Sequence, residues 1–225
     1  MTRTTNAKIA GFTFLFYIAV GVFSMVLFGR AAGGHDIGER LASIAKHVTE
    51  VRVVFILTLL QSVSAIVLGL TLYAITRDQD RDLAMAGLIF RAAEGLIGIA
   101  IPTSLGLLWL ATATGADAPD TAAVRGIAGF LLQVASWKTM TSATFFAVGS
   151  AFFSWLLLRG RMIPVQLAML GVVASVLLVL LLPLQAAGFL RGPLTKWMWL
   201  PMALFEIPLA VWLLAKGVAT TRQAR

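Results

Sequence analysis

Three ionisable residues stand deep inside apolar stretches of this 225-residue chain: Arg91 and Glu94 in one, Glu206 in another. Charge within hydrocarbon is costly, and where it occurs it marks a pathway, a binding site or a polar clamp between helices. Arg91 and Glu94 lie three positions apart, so on a helix they share a face and can pair, which lowers the cost of both. At helical rise Glu94 falls about 16 Å into its stretch, near the middle of a bilayer. Arg91 can extend its head part of the way outward. Glu206 has no basic residue within four positions. A buried carboxyl without a partner is held as the neutral acid, so its partner must come from another helix, and Arg91 is the obvious one. Arg91 would then bridge Glu94 and Glu206, with their two helices side by side. Pro208 adds polarity, because it has no amide to donate and leaves the carbonyl of Leu204 open beside Glu206.

Arg91, Glu94 and Glu206 are therefore the candidate site, with two readings. In one they bind or pass a small ligand, a lipid or a proton. In the other they only lock helices together. An intramembrane enzyme using Glu94 or Glu206 as acid or base would need further polar groups and a water path, and few side chains offer them. The reading adopted is non-enzymatic, with no catalytic residue assigned.

Other chemistry finds little support. His35 and His47 are the two histidines, and both fall in the first extramembrane loop. They are too far apart in sequence, and too loop-borne, to make a good metal pair. No Ser-His-Asp set can be built within the membrane, and no phosphate-binding glycine loop or HExxH is present. The chain has no cysteine, which removes disulfides, thiolate metal sites and thiol catalysis. No cofactor and no metal are assigned.

Composition decides what must position these residues. Hydrophobic residues make up 59% and charged residues only 12%, about half the charged share of a soluble domain. The fold class is all-α: a polytopic transmembrane helix bundle of six spans with one or two interfacial helices, forming a single integral membrane domain over residues 1–225. The spans are expected at 8–29, 53–76, 83–110, 139–158, 164–187 and 194–216. The first is too long for a secretory signal core and reads as uncleaved. Gln61, Ser62 and Ser64 in the second span are expected to bond across helices. Pro102 is expected to kink the third, and Pro183 to break the far end of the fifth.

Residues 36–51 carry apolar side chains at Ile37, Leu41, Ile44, Val48 and Val51, the stripe of a surface helix. Asp36 and Glu39 resemble a capping box that opens it. It reads as a membrane-surface helix or, alternatively, as a lid or docking helix. Residues 122–158 are apolar almost throughout and would make a helix of about 55 Å, longer than a bilayer is thick. A division near Trp137-Lys138 is expected, giving an interfacial helix over 122–137 and placing Lys138 at the interface.

The net charge of +8 comes from Lys and Arg scattered through loops and tails. That placement sets topology and touches anionic headgroups; it does not read nucleic acid. The partners expected are the lipid bilayer and a small-molecule or lipid ligand. With six spans both termini share a side. That side holds nine of the loop and tail cations, Arg3 through Arg225, and the other holds seven, which favours cytoplasmic termini. Spans three and six each carry a buried Glu and a nearby proline, a faint sign of an inverted repeat.

Four segments taken together carry a resemblance: "AKIAGFTFLFYIAVGVF", "FRAAEGLIGIA", "LLLRGRMIPVQLAMLGVV" and "FEIPLAVWLLAKGV". In order and spacing the chain resembles the uncharacterised bacterial integral-membrane family DUF4386 over nearly its whole length. The Arg-x-x-Glu of the third span and the Glu of the sixth match Arg91, Glu94 and Glu206. Many relatives carry a histidine in the fourth span, near the point where Gly149 stands here, so a role needing that histidine does not carry over. The resemblance implies a small multi-pass protein of the bacterial inner membrane and no established activity.

A reporter fused after Arg225 tests the topology. Activity of a cytoplasm-only reporter is expected, and activity of a periplasm-only reporter would overturn the orientation.

Overall fold

The computed structural model describes residues 2–113 and 121–219. Gly115, Asp117, Pro119 and Asp120, whose types predict a polar loop after the third span, and the tail residues Arg222 and Arg225 lie outside them. The described chain is helical: α1 Arg3–Ala31, α2 Ile37–Lys46, α3 Val48–Thr76, α4 Arg81–Ala100, α5 Thr103–Thr112, α6 Thr121–Arg159, α7 Val165–Ala186, α8 Leu194–Trp197 and α9 Leu200–Ala215. Six stretches are long and apolar enough to cross a membrane: α1, α3, α4 with α5, α6, α7, and α8 with α9.

These spans close into a ring in chain order. α1 packs on α3, α3 on α4, α4 on α6, α6 on α7, α7 on α9, and α9 returns to α1. Small residues permit the close approaches. A Cβ added at Gly11 of α1 would lie 2.7 Å from the Ala210 carbonyl oxygen of α9, and one at Gly95 of α4 would lie 2.6 Å from the Ser62 carbonyl oxygen of α3. Without water to expel between helices in lipid, such contact supplies much of the attraction. Large apolar side chains such as Phe12, Val63, Val173 and Leu180 point outward, as lipid-facing positions should.

The helix starts follow their capping residues. Thr2 accepts from the Thr5 amide and Asp80 from the Leu83 amide, both at 3.1 Å. Asp36 accepts from the Glu39 amide at 2.8 Å, while Glu39 accepts from the amide of His35, one residue before the cap. The box is thus one residue wider than a standard one. α2 stops at Lys46, and His47 separates it from α3.

The expected division at Trp137-Lys138 is absent: α6 is one continuous helix of 39 residues, about 58 Å long. Bilayer thickness limits only the inserted part of a helix. Here the N-terminal half of α6 runs past the ends of α7 and α9 and packs on α2 and α5. A second apolar core forms there, from Ala31, Ile44, Val51, Leu107, Leu108 and Ala128. No proline interrupts residues 121–159. Residues 122–137 are therefore part of the long helix rather than a separate interfacial one.

The third span, in contrast, does break. α4 ends at Ala100, and Ile101-Pro102 steps the chain into α5. The Ile101 carbonyl accepts from the Thr103 amide at 2.8 Å and from Lys138 Nζ at 3.0 Å. Lys138 thus crosses from α6 to satisfy the broken backbone. The sixth span is interrupted too, between α8 and α9. α7 runs through Pro183 to Ala186, so that proline does not end it. The Gln61-Ser62-Ser64 patch is not cross-helix glue through Ser64, which bonds to its own Leu60 carbonyl at 2.7 Å.

The two glycine environments predict opposite outcomes. Gly95→Ala forces a Cβ against backbone and should cost about 1–3 kcal/mol. Gly126→Ala, with open space around it, should gain about 0.5–1 kcal/mol from the stiffer helical residue. Thermal unfolding of the two variants in detergent checks both signs.

Candidate functional site

The centre of the ring is built from α1, α4 and α6, with α9 on the far side. α4 turns Arg91 and Glu94 inward, where they are 1% and 3% exposed. Arg91 Nη1 lies 2.9 Å from Glu94 Oε2, the one-turn pairing that their spacing dictates. Tyr17 of α1 donates its hydroxyl to Glu94 Oε1 at 2.6 Å. The carboxylate therefore has one oxygen on a cation and the other on a phenol. Ser142 of α6 donates to the Glu94 backbone carbonyl at 3.0 Å, which ties α6 to the same turn of α4.

Aromatic rings hold the guanidinium on two sides. Its central carbon sits 4.9 Å from the Phe146 ring centre and 5.4 Å from that of Tyr17. Cation–π contact of this kind is worth about 2 kcal/mol when desolvated. Two glycines clear the path of the side chain. A Cβ at Gly69 would lie 3.0 Å from Arg91 Cβ, and one at Gly149 would lie 3.0 Å from Arg91 Cγ. Gly149 is thus the floor under the arginine stem.

Glu206 faces this group from α9, at 6% exposure and within electrostatic reach of Arg91 and Glu94. It does not form the expected bridge. α4 and α9 do not pack as neighbours; they stand opposite each other in the ring. Third and sixth elements of a six-membered ring are as far apart as two can be. Among the described residues, Glu206 Oε1 has no hydrogen-bond partner, and the Arg91 nitrogens make no well-directed hydrogen bond despite the short ion pair. Charge proximity, rather than an aligned fork, holds Arg91 to Glu94.

Tyr17, Phe146, Ser142, Gly69 and Gly149 complete the site and were not singled out as site residues by sequence reasoning. For Tyr17 a signal existed: it is one of two tyrosines, and a phenol placed mid-span needs a polar partner.

The ring and its ionic centre define a multi-pass helical membrane protein with a buried charged cluster. The chain belongs to the family described as Domain of unknown function (DUF4386), whose model matches residues 9–217. No curated protein and no solved structure matches it.

Removing one member of the pair should hurt more than removing both. Arg91→Met strands a buried carboxylate and should cost about 3–5 kcal/mol. Arg91→Met with Glu94→Met should recover a large part of that loss. Tyr17→Phe should cost about 1.5–3 kcal/mol, as for a hydrogen bond to a charged group. A double-mutant cycle on unfolding in detergent measures all three, and additive losses would mean that Arg91 and Glu94 act independently.

Proposed function

We propose that this is a non-enzymatic membrane protein whose centre, Arg91, Glu94 and Glu206, holds an exchangeable proton. The observation that carries the reading is Glu206: a buried carboxyl, 6% exposed, with one enclosed oxygen that has no partner among the described residues, facing an ion pair across the ring. Fully ionised, the three groups sum to one net negative charge. An uncompensated charge in hydrocarbon is expensive, and a single bound proton neutralises it. Space favours a proton over a larger guest. The interior gap bordered by Ser150, Ser154 and Phe205 holds about 10 Å³, near the lower limit for one water. That gap takes neither a metabolite nor a lipid. The setting proposed is a bacterial inner membrane with both chain ends cytoplasmic, on the cation bias of that end.

A second reading, the helix clamp, is favoured by a different observation. Tyr17, Glu94, Arg91 and Ser142 join α1, α4 and α6 by direct contacts. The two readings part at Glu206, which joins nothing directly.

Infrared spectroscopy of the reconstituted protein separates them. The wild type should show a buried carboxylic-acid carbonyl band that titrates with bulk pH, and Glu206→Gln should lose it while remaining folded. A band that no pH change moves, or one that survives in Glu206→Gln, would sink the proton reading. Lower thermal stability of Glu206→Gln with no titrating carboxyl in the wild type would leave the clamp.

A further inference from the structure

A groove of about 380 Å³ opens at the end of the bundle where α1 starts and α9 finishes, between the α6–α7 turn and the end of α9. Met162, Ile163, Trp212 and Val218 give it apolar walls, and Arg161 and Lys216 stand at its edge. Met162 accepts from the Ala219 amide at 3.0 Å, which joins the two walls.

The charge balance at this end is uneven. Arg3 and Arg77 lie within ion-pair distance of Asp78, and Arg159 of Asp80. Among the described residues, Arg161 and Lys216 have no carboxylate within that distance, and both are exposed. The start of α7 also faces here without a side-chain cap, but the carbonyl end of α9 lies beside it, so the two dipoles offset. The two full positive charges decide the sign of the groove.

Arg161 is also the one non-glycine residue with positive φ among those described, at 46°. A left-handed turn position favours glycine, and Gly160 is immediately adjacent. An arginine kept in that conformation turns a strained backbone position into a cation at the groove edge, and such strain gathers where a side chain is needed.

We propose that this groove binds the phosphodiester headgroup of an anionic phospholipid. Arg161 and Lys216 would meet the phosphate, the Trp212 indole would sit at the headgroup level, and the apolar walls would take the glycerol and first methylenes. Basic pockets between helices at a membrane surface take such headgroups, and Trp is enriched at that depth.

The test is native mass spectrometry of the full-length protein in detergent, titrated with phosphatidylglycerol, phosphatidylcholine or inorganic phosphate. Wild type should retain phosphatidylglycerol in preference to the other two. Arg161→Gln with Lys216→Gln should bind it about 30-fold more weakly, at about fivefold per charge. Arg191→Gln with Lys196→Gln, which removes equal charge from the opposite end, should bind as wild type does. Arg161→Gly relieves the backbone while deleting the charge; it should lose about fivefold in binding with thermal stability at or above wild type. Equal binding of phosphatidylcholine, inorganic phosphate binding as tightly as the lipid, or unchanged binding in the Arg161/Lys216 variant would each overturn the proposal.

Discussion

A carboxylate buried in a bilayer must find its partners inside the protein, and the bundle is arranged around how Glu94 does so. One oxygen meets Arg91 of its own helix, and the other meets Tyr17 of α1. The Arg91 contact is internal to α4, but the Tyr17 contact is lost if α4 rotates or α1 slides by a turn. The ionic centre therefore specifies register as well as neutralising charge. Lipid-facing apolar surface cannot do this, because one aliphatic face packs against hydrocarbon as well as another.

The rest of the ring fits that requirement. Gly69 and Gly149 give up side chains where the arginine stem runs, and Phe146 and Tyr17 cover its head. Gly11 and Gly95 draw α1 onto α9 and α4 onto α3. Carbonyls left open at a helix break or a helix end are met from neighbouring helices, as Lys138 meets the Ile101 carbonyl and Arg3 the Ile75 carbonyl. The long helix α6 takes part in both halves of the molecule: its C-terminal half closes the ring, and its N-terminal half carries the second core with α2 and α5.

Glu206 departs from this pattern of mutual satisfaction. Every other charged side chain at the centre has a direct partner, whereas Glu206 is held opposite them by ring geometry. On the proposed reading, that contrast separates a residue that fixes helices from one that exchanges a proton, on α9 rather than α4. The groove proposed for a headgroup lies elsewhere, at the C-terminal end of the same helix, and rests on separate residues.

Much of this was legible in the residues alone. Hydrophobic run length gives six crossings, because backbone polarity admits little but a helix of that length in a bilayer. The three-residue spacing of Arg91 and Glu94 gives their pairing, because one turn of helix sets it. What failed were inferences about relations between helices. Pairing Arg91 with Glu206 assumed adjacent helices, and the ring order puts them opposite. Dividing the chain at Trp137-Lys138 assumed that every apolar residue of a long run lies in lipid, whereas one side of the start of α6, around Ala128, packs against α2 and α5. Tyr17 carried a signal, a phenol in mid-span, but nothing in the sequence pointed it at Glu94. Local sequence determines helix identity, length and same-face neighbours, since those depend on residues within a few positions. Which helix stands beside which, and so which polar groups meet, is decided by packing summed over the whole ring, and only the tertiary structure carries it.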